Sequence, residues 1–238
     1  MRIDFCVPVY NEEAIFSANA ERIWQFLSGQ KRDYEWNLVF IVNGSSQSFE
    51  KQVQTFADSG HLGARCFIIP QGGKGRAIKA YFNASQADML VYMDIDLAVD
   101  LEALSRLIEP ILHDEADLVF GSRMLPSSSI NRSWLRESSS RAYIRYSRLL
   151  LKHHYTDLQC GFKAIKTSVW HQLSPFIKND DWFFDTELIY HAQKQGFRLK
   201  EIPVDWSENR YSGRHSKINM LSDGWRFFIE TLALRRRG

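Results

Sequence analysis

The chain has 238 residues, of which 45% are hydrophobic and 24% charged, and carries a formal net charge of +2. That length suits one large α/β domain with an appendage, and that balance excludes a disordered or fibrous chain. No uncharged apolar run of about 18 residues is present to cross a bilayer, and three distant cysteines, Cys6, Cys66 and Cys160, with no Cys-x-x-Cys pair, exclude a disulfide framework or a zinc knuckle.

The small net charge conceals an asymmetry. Residues 1–121 hold 10 Lys/Arg against 17 Asp/Glu, whereas residues 122–238 hold 20 against 11. An anionic partner is expected on the second half.

Along the chain, the first residues, Met1-Arg2-Ile3-Asp4-Phe5-Cys6-Val7, enter an apolar strand directly and lack the apolar core and cleavage site of a secretory signal, so a cytosolic protein is expected. Further apolar, β-rich runs lie at 38–42, 66–69, 89–93 and 118–120, with amphipathic helical stretches at 14–27, 75–87 and 101–112. Strand and helix alternate, which predicts an α/β fold with a mostly parallel sheet covered on both faces. The polar turns Asn11-Glu12-Glu13, Asn43-Gly44-Ser45-Ser46, Gln71-Gly72-Gly73-Lys74-Gly75 and 94–100 should then share one edge of that sheet.

After Gly121 a Ser-rich linker leads to a long basic helix, and seven cations face one acid between Ser122 and Lys152. Arg141, Arg145, Arg148 and Lys152 recur at helical spacing on one face, where like charges disfavour the helix unless a partner neutralises them. A second α/β passage follows: a strand over 160–165, a helix over 182–195 and a strand over 198–204. The last segment, 218–234, mixes Trp225, Phe227, Phe228, Ile229, Leu232 and Leu234 with cations and ends in Arg235-Arg236-Arg237. The expected organisation is a catalytic domain over 1–204 and a basic amphipathic extension over 205–238, packed on the domain or lying at a membrane surface.

Met89-Leu90-Val91-Tyr92-Met93-Asp94-Ile95-Asp96 is the most informative stretch, a doubly buried strand that stops at two carboxylates. Carboxylates so placed suit a hard divalent cation, Mg²⁺ or Mn²⁺, that takes its remaining ligands from water and a diphosphate. On this motif alone, a strand end followed by solvated aspartates stays open as the alternative.

Several further pieces join it in order. Val7-Pro8-Val9-Tyr10-Asn11-Glu12-Glu13, Asn43-Gly44-Ser45, Asp94-Ile95-Asp96-Leu97, Gly121-Ser122-Arg123, Asp157-Leu158-Gln159-Cys160-Gly161-Phe162-Lys163, Phe184-Asp185-Thr186-Glu187-Leu188 and Arg214-His215-Ser216-Lys217 together resemble the family 2 glycosyltransferases of GT-A fold. Within them, the set is similar to the synthases that charge dolichyl or polyprenyl phosphate with a hexose. The resemblance implies inverting transfer of a hexose from a nucleoside diphosphate sugar of the UDP-glucose or GDP-mannose type to a polyprenyl phosphate. It implies Asp94 and Asp96 as metal ligands, with Pro8, Tyr10, Asn11, Glu12, Asn43, Gly73, Lys74 and Asp94 around the donor. It places Arg123, Arg136, Arg141, Arg214, Ser216 and Lys217 at the acceptor phosphate, where arginines bond bidentately. Asp157 and Asp185 are the nominees for a base. The Gln-Cys-Gly-Phe-Lys pattern leans towards glucose-type synthases.

Two positions depart from the family. Val42-Asn43 replaces an acidic pair, so an amide stands where a carboxylate would meet the base, and Ala98 replaces a glutamine found near the metal in some mannose synthases. Gly72-Gly73-Lys74-Gly75 lacks the spacing and the Ser/Thr of a triphosphatase phosphate loop. No serine-hydrolase elbow or zinc-protease helix occurs. His61, His153 and His154 read as surface residues, not ligands. A soluble hydroxyl acceptor and a non-catalytic nucleotide-sugar or anionic-lipid binding module remain as alternatives. Nucleic acid is not expected, because the cations lack regularly interleaved aromatics. Contact with an anionic membrane, if any, is expected to be peripheral, at its cytoplasmic face.

Overall fold

Successive apolar residues of each central strand turn to opposite faces, and both faces are covered. The computed structural model describes residues 1–29, 31–131, 134–207 and 220–237, with backbone alone for 130–131, 134–136 and 220–223. β1 (Arg2–Val9), β2 (Glu35–Asn43), β3 (Ala64–Ile69), β4 (Met89–Met93), β5 (Leu118–Ser122), β7 (Phe162–Lys166) and β8 (Leu199–Pro203) form one seven-stranded sheet in the order β3-β2-β1-β4-β7-β5-β8. The pairs β3–β2, β2–β1, β1–β4 and β5–β8 are parallel, and β7 runs antiparallel to both β4 and β5. A short parallel pair, β6 (Ile130–Asn131) with β9 (Trp206–Ser207), stands apart. This is the mostly parallel architecture that the alternating pattern predicts.

Phe5, Val7, Phe40, Val42, Val91 and Met93 pack beneath α1 (Glu13–Ser28), α2 (Gln47–Asp58) and α4 (Ala103–Leu112). Cys6, Val39, Ile41, Leu90 and Tyr92 pack on the other face, beneath α3 (Lys74–Ala84), α5 (Trp134–Leu151), α6 (Thr167–Leu173) and α7 (Phe184–Lys194). The helix α2 was not singled out from sequence; its start is marked by Ser46, whose hydroxyl accepts from the amide of Phe49. Asp4 is buried on β1, and its carboxylate accepts from Asn37 (2.6 Å), Tyr81 (2.8 Å) and Ser85 (2.5 Å), which ties β2 and α3 to the first strand.

The C-terminal α8 (Met220–Arg237) packs along α5 and, near its own end, touches α7. Leu234 and Thr231 are buried, Tyr146 donates to the carbonyl of Phe228, and Arg237 reaches the buried Glu187 at 3.0 Å. Its opposite face stays open.

Three details differ from the sequence reading. The strand expected from Cys160 begins at Phe162, because Cys160 and Gly161 belong to a loop pressed against Asp94. Trp182 precedes α7 rather than opening it. His153, expected at the surface, is buried and hydrogen-bonds Ser147, and His61 is half-buried, stacked on Phe56 and paired with Glu21.

Burial, helped by the nearby Arg148 and His154, lowers His153 to about 4. Burial, with Lys194 and Arg237, does the same to His191, also to about 4. Both rings are therefore held neutral, so their contribution is fully present above the unfolded value of about 6.5 and is lost as the pH falls towards about 4. Thermal unfolding followed from pH 7 to pH 4 should show a declining midpoint. A variant with His153→Gln and His191→Gln should show a shallower decline, and an identical slope would refute this origin.

Candidate active site

The strand β4 ends at Met93, and the chain turns at once. Leu97 adopts φ 52°, a left-handed conformation costly for a branched residue, and its amide donates to the carbonyl of Asp94 at 3.3 Å. This tight turn sets Asp94 and Asp96 at the carboxyl edge of the sheet, beside the turns that follow β1 and β2. The amide of Ala98 donates to Asp96 Oδ1 at 3.1 Å.

Behind Asp94 lies a set of charges that the protein encloses. Lys74, the first residue of α3, is paired with Asp94 Oδ1 at 3.0 Å and stands 3.8 Å from Asp185 Oδ2, with only 8% of its side chain exposed. Asp185, in the first turn of α7, is buried and accepts from Lys163 Nζ at 2.6 Å and from the hydroxyl of Tyr92. Lys163, on β7 directly opposite Tyr92 in the register, is fully buried and also donates to the carbonyl of Cys160 at 2.5 Å. The ammonium of Lys74 further lies 5.2 Å from the ring of Trp182.

Burial opposes the charge on Lys74, but Asp94 and then Asp185 override it and hold the ammonium above its ordinary range. Asp94 keeps 41% of its side-chain surface open, yet the protein crowded around it, together with the like charges of Asp96 and Asp185, pushes its carboxyl upward against the pull of Lys74. Burial and then Asp185 push the Tyr92 phenol well up, so it stays a donor. An open carboxylate rim with surplus negative charge fits a hard divalent cation, which Asp94 and Asp96 would hold while a diphosphate supplies further oxygens. Among the described residues no cluster of three His, Cys, Asp or Glu offers a complete protein-only cage.

The loop 156–161 brings a second charged pair. Arg123 meets Asp157 through Nε and Nη2, at 2.6 and 2.9 Å, and its amide donates to the same carboxylate at 3.1 Å. Burial would raise Asp157, but Arg123 and the amide bonds prevail and its carboxyl lies below the usual range. Glu201 on β8 takes the amides of Thr156 and Asp157, each at 2.8 Å. The loop so fixed delivers Gly161 against Asp94: a Cβ there would stand 2.2 Å from Asp94 Oδ2 and 2.6 Å from Lys74 Nζ. Burial, and next Asp157, push the Cys160 thiol up to about 12, which makes it inert.

The other expected donor contacts line the same edge. Pro8, next to last in β1, is half-buried, and Tyr10 projects outward. The side chain of Asn11 accepts from the amide of Ser46, and Glu12 caps α1 through its carbonyl. Asn43 is buried; its amide donates to the carbonyl of Val9 and its oxygen accepts from the amide of Gly73 at 3.1 Å, so it joins three of these turns. Gly73 has φ 131° and passes so close to the carbonyl of Asp180 that a Cβ would stand 2.6 Å away.

Of the residues expected at the acceptor phosphate, Arg123 is the one joined to this cluster. Arg141 is exposed on α5 and paired with Glu137. The side chain of Arg136 and all of Arg214, Ser216 and Lys217 lie outside the described residues. Sequence reading missed Tyr92, Gly161, Lys163 and Trp182 as parts of the site. Lys163 had a visible signal, a lysine flanked by Phe162, Ala164 and Ile165 within a strand.

The model of the family described as glycosyl transferase family 2 matches residues 4–173. The chain belongs to this family. It is 41% identical over 134 residues to the glycosyltransferase AglD of Haloferax volcanii, covering 56% of this chain but only 22% of that protein. It is 28% identical over 232 residues to a dolichyl-phosphate beta-glucosyltransferase of Dictyostelium discoideum, covering 91% of this chain and 71% of that protein. Glucosyl-3-phosphoglycerate synthase of Mycobacterium tuberculosis, crystallised with Mn²⁺, UDP and phosphoglyceric acid, superposes with a TM-score of 0.68 at 19% identity, over 98% of this chain and 78% of that one. The expected GT-A architecture is thus the observed one.

The close approach of Gly161 is testable. Gly161→Ala must displace Asp94 by an ångström or more, which should lower turnover by about 100-fold while thermal unfolding shifts by only a few degrees. Wild-type turnover in the variant would show that the position of this carboxylate does not matter.

Proposed function

We propose that this member of the family transfers a hexose, with inversion, from a nucleoside diphosphate sugar to a polyprenyl phosphate. The observation that carries this reading is the pair Asp94 and Asp96 on the sheet edge, backed by the enclosed Lys74–Asp185–Lys163 charges. A divalent cation at that pair would supply positive charge to the departing diphosphate. Lys74 lies beside it to add a second positive charge.

The state of the two remaining acids favours a phosphate acceptor. Asp157 is tied to Arg123 and Asp185 to Lys163, so neither is disposed to take a proton from a sugar hydroxyl. A lipid phosphate is already ionised and needs no such base. Asp157 instead acts as the anchor that keeps loop 156–161 against Asp94, and Arg123 supplies positive charge near the acceptor. The dolichyl-phosphate beta-glucosyltransferase relatives point the same way, towards a glucose donor.

Incubation with Mg²⁺ or Mn²⁺, a polyprenyl phosphate and each common nucleotide sugar should release nucleoside diphosphate in a lipid-dependent manner. Asp94→Asn should reduce that release by about 100-fold or more. Release that ignores the lipid would move the acceptor to a soluble molecule, and no release with any acceptor would leave a binding module.

A lipid acceptor requires the chain to meet a membrane, and no helix among the described residues is long and apolar enough to cross one. The open face of α8 suits a peripheral contact. Trp225, Ile229 and Leu232 recur at helical spacing with exposures of 69%, 53% and 39%, followed by the exposed Arg235 and Arg236. Leu149, 78% exposed, and the exposed Arg145 stand on the neighbouring α5, and the exposed Lys152 follows its last residue. Apolar side chains ringed by cations match an anionic bilayer surface. Sedimentation with vesicles containing anionic lipid should capture the protein, and the double variant Trp225→Asp, Ile229→Asp should weaken capture by about tenfold or more. Equal capture of the variant would place the contact elsewhere.

A further inference from the structure

The ammonium of Lys74 sits where positive charge is most needed, against Asp94, one carboxylate of the candidate metal pair. It is 3.0 Å from Asp94 Oδ1, and a second carboxylate oxygen, Asp185 Oδ2, lies 3.8 Å away. The rest of Asp185 is already engaged, since its Oδ1 takes Lys163 and Tyr92. Gly161 closes the space so tightly that a single methyl group would strike both Asp94 and Lys74. Trp182 and Tyr92 offer ring faces to the same ammonium at 5.2 and 5.8 Å. Lys74 therefore has one partner on the rim and another inside, a short movement apart.

We propose that Lys74 is the exchangeable counter-cation of Asp94. It neutralises that carboxylate in the empty site, yields it when a divalent cation binds, and then stands between Asp185 and the donor diphosphate. The inference rests on the reading that Asp94 and Asp96 hold the cation. Its consequence follows from charge alone: a divalent cation arriving without nucleotide must displace one positive charge and remain beside it, whereas the diphosphate satisfies both at once. Metal and nucleotide are thereby coupled, each favouring the other, and the site is kept from filling with metal alone.

Mn²⁺ binding without nucleotide, read from the electron paramagnetic resonance signal of the free ion, tests this directly. Lys74→Met should bind Mn²⁺ at least about threefold more tightly than the unmutated chain, because the competing charge is gone. The same variant should bind UDP or GDP in the presence of Mg²⁺ at least about tenfold more weakly. Lys74→Arg, which keeps the charge, should bind Mn²⁺ as the unmutated chain does. Tighter metal with weaker nucleotide is a pair of opposite changes that neither a purely nucleotide-binding nor a purely structural lysine produces. Unchanged or weaker Mn²⁺ binding in a Lys74→Met protein with a native melting profile overturns the proposal.

The unmutated chain gives a second measurement if Lys74→Met fails to fold. In a spectrum of ¹⁵N-labelled lysine ammonium groups, Lys74 should be among the signals protected from solvent, and Mg²⁺ alone should shift it. A Lys74 signal unmoved at saturating Mg²⁺ overturns the proposal. Asp94→Asn separates the two layers of the argument. Mn²⁺ binding that survives this change removes the metal assignment and the proposal with it, whereas binding lost in Asp94→Asn but not improved in Lys74→Met removes the proposal alone.

Discussion

The ion pair between Lys163 and Asp185 is the constraint around which the site is arranged. A lysine with no exposed surface is tolerable only if its charge is matched and its protons are used, and Lys163 meets both conditions with a carboxylate and two backbone carbonyls. The pair draws together β7, α7 and, through Tyr92, β4. Removing either partner leaves an unmatched charge in the core, a loss of about 3–5 kcal/mol in comparable buried pairs. Because Asp185 also faces Lys74, the demand for neutrality passes outward from the core to the rim, and Asp94 is where it meets solvent.

A second set of bonds holds the roof of this arrangement. Glu201 gathers the start of loop 156–161, Arg123 clamps Asp157, and the loop passes Gly161 across Asp94. Opposite it, Asp180 binds Arg76 at 2.8 Å and Lys79 at 2.7 Å, and Glu187 takes the amides of Lys178 and Asn179, which carries Trp182 over Lys74. Two loops, one before β7 and one after α6, thus converge on one lysine and one carboxylate. Charge-assisted bonds, stronger and shorter than neutral ones, give those loops the rigidity that catalytic positioning demands.

The C-terminal helix joins the same economy of charge. Arg226 bridges Asp181 and Glu230, and Arg237 reaches the buried Glu187, so α8 is fastened to the very loop that covers Lys74. Its apolar face is divided: Thr231 and Leu234 are spent on the domain, whereas Trp225, Ile229 and Leu232 are left outside. The same helix thus braces the loop over Lys74 and leaves an apolar face flanked by cations open.

Much of this was legible in the sequence. The alternation of apolar runs determined the parallel, doubly covered sheet, since residue period and element length are local properties of the chain. The stop of the Met89–Met93 strand at Asp94 and Asp96 put the candidate site at the sheet edge, because polar residues ending a buried strand must emerge at its carboxyl edge. What only the tertiary structure decided was which charges neutralise which. Asp185 lies 93 residues from Tyr92 and 22 from Lys163 in the chain, and Arg123 lies 34 from Asp157. No period or spacing links such positions. Their pairing follows from burial in three dimensions, where an ionised group must find its counter-charge wherever the fold has left one.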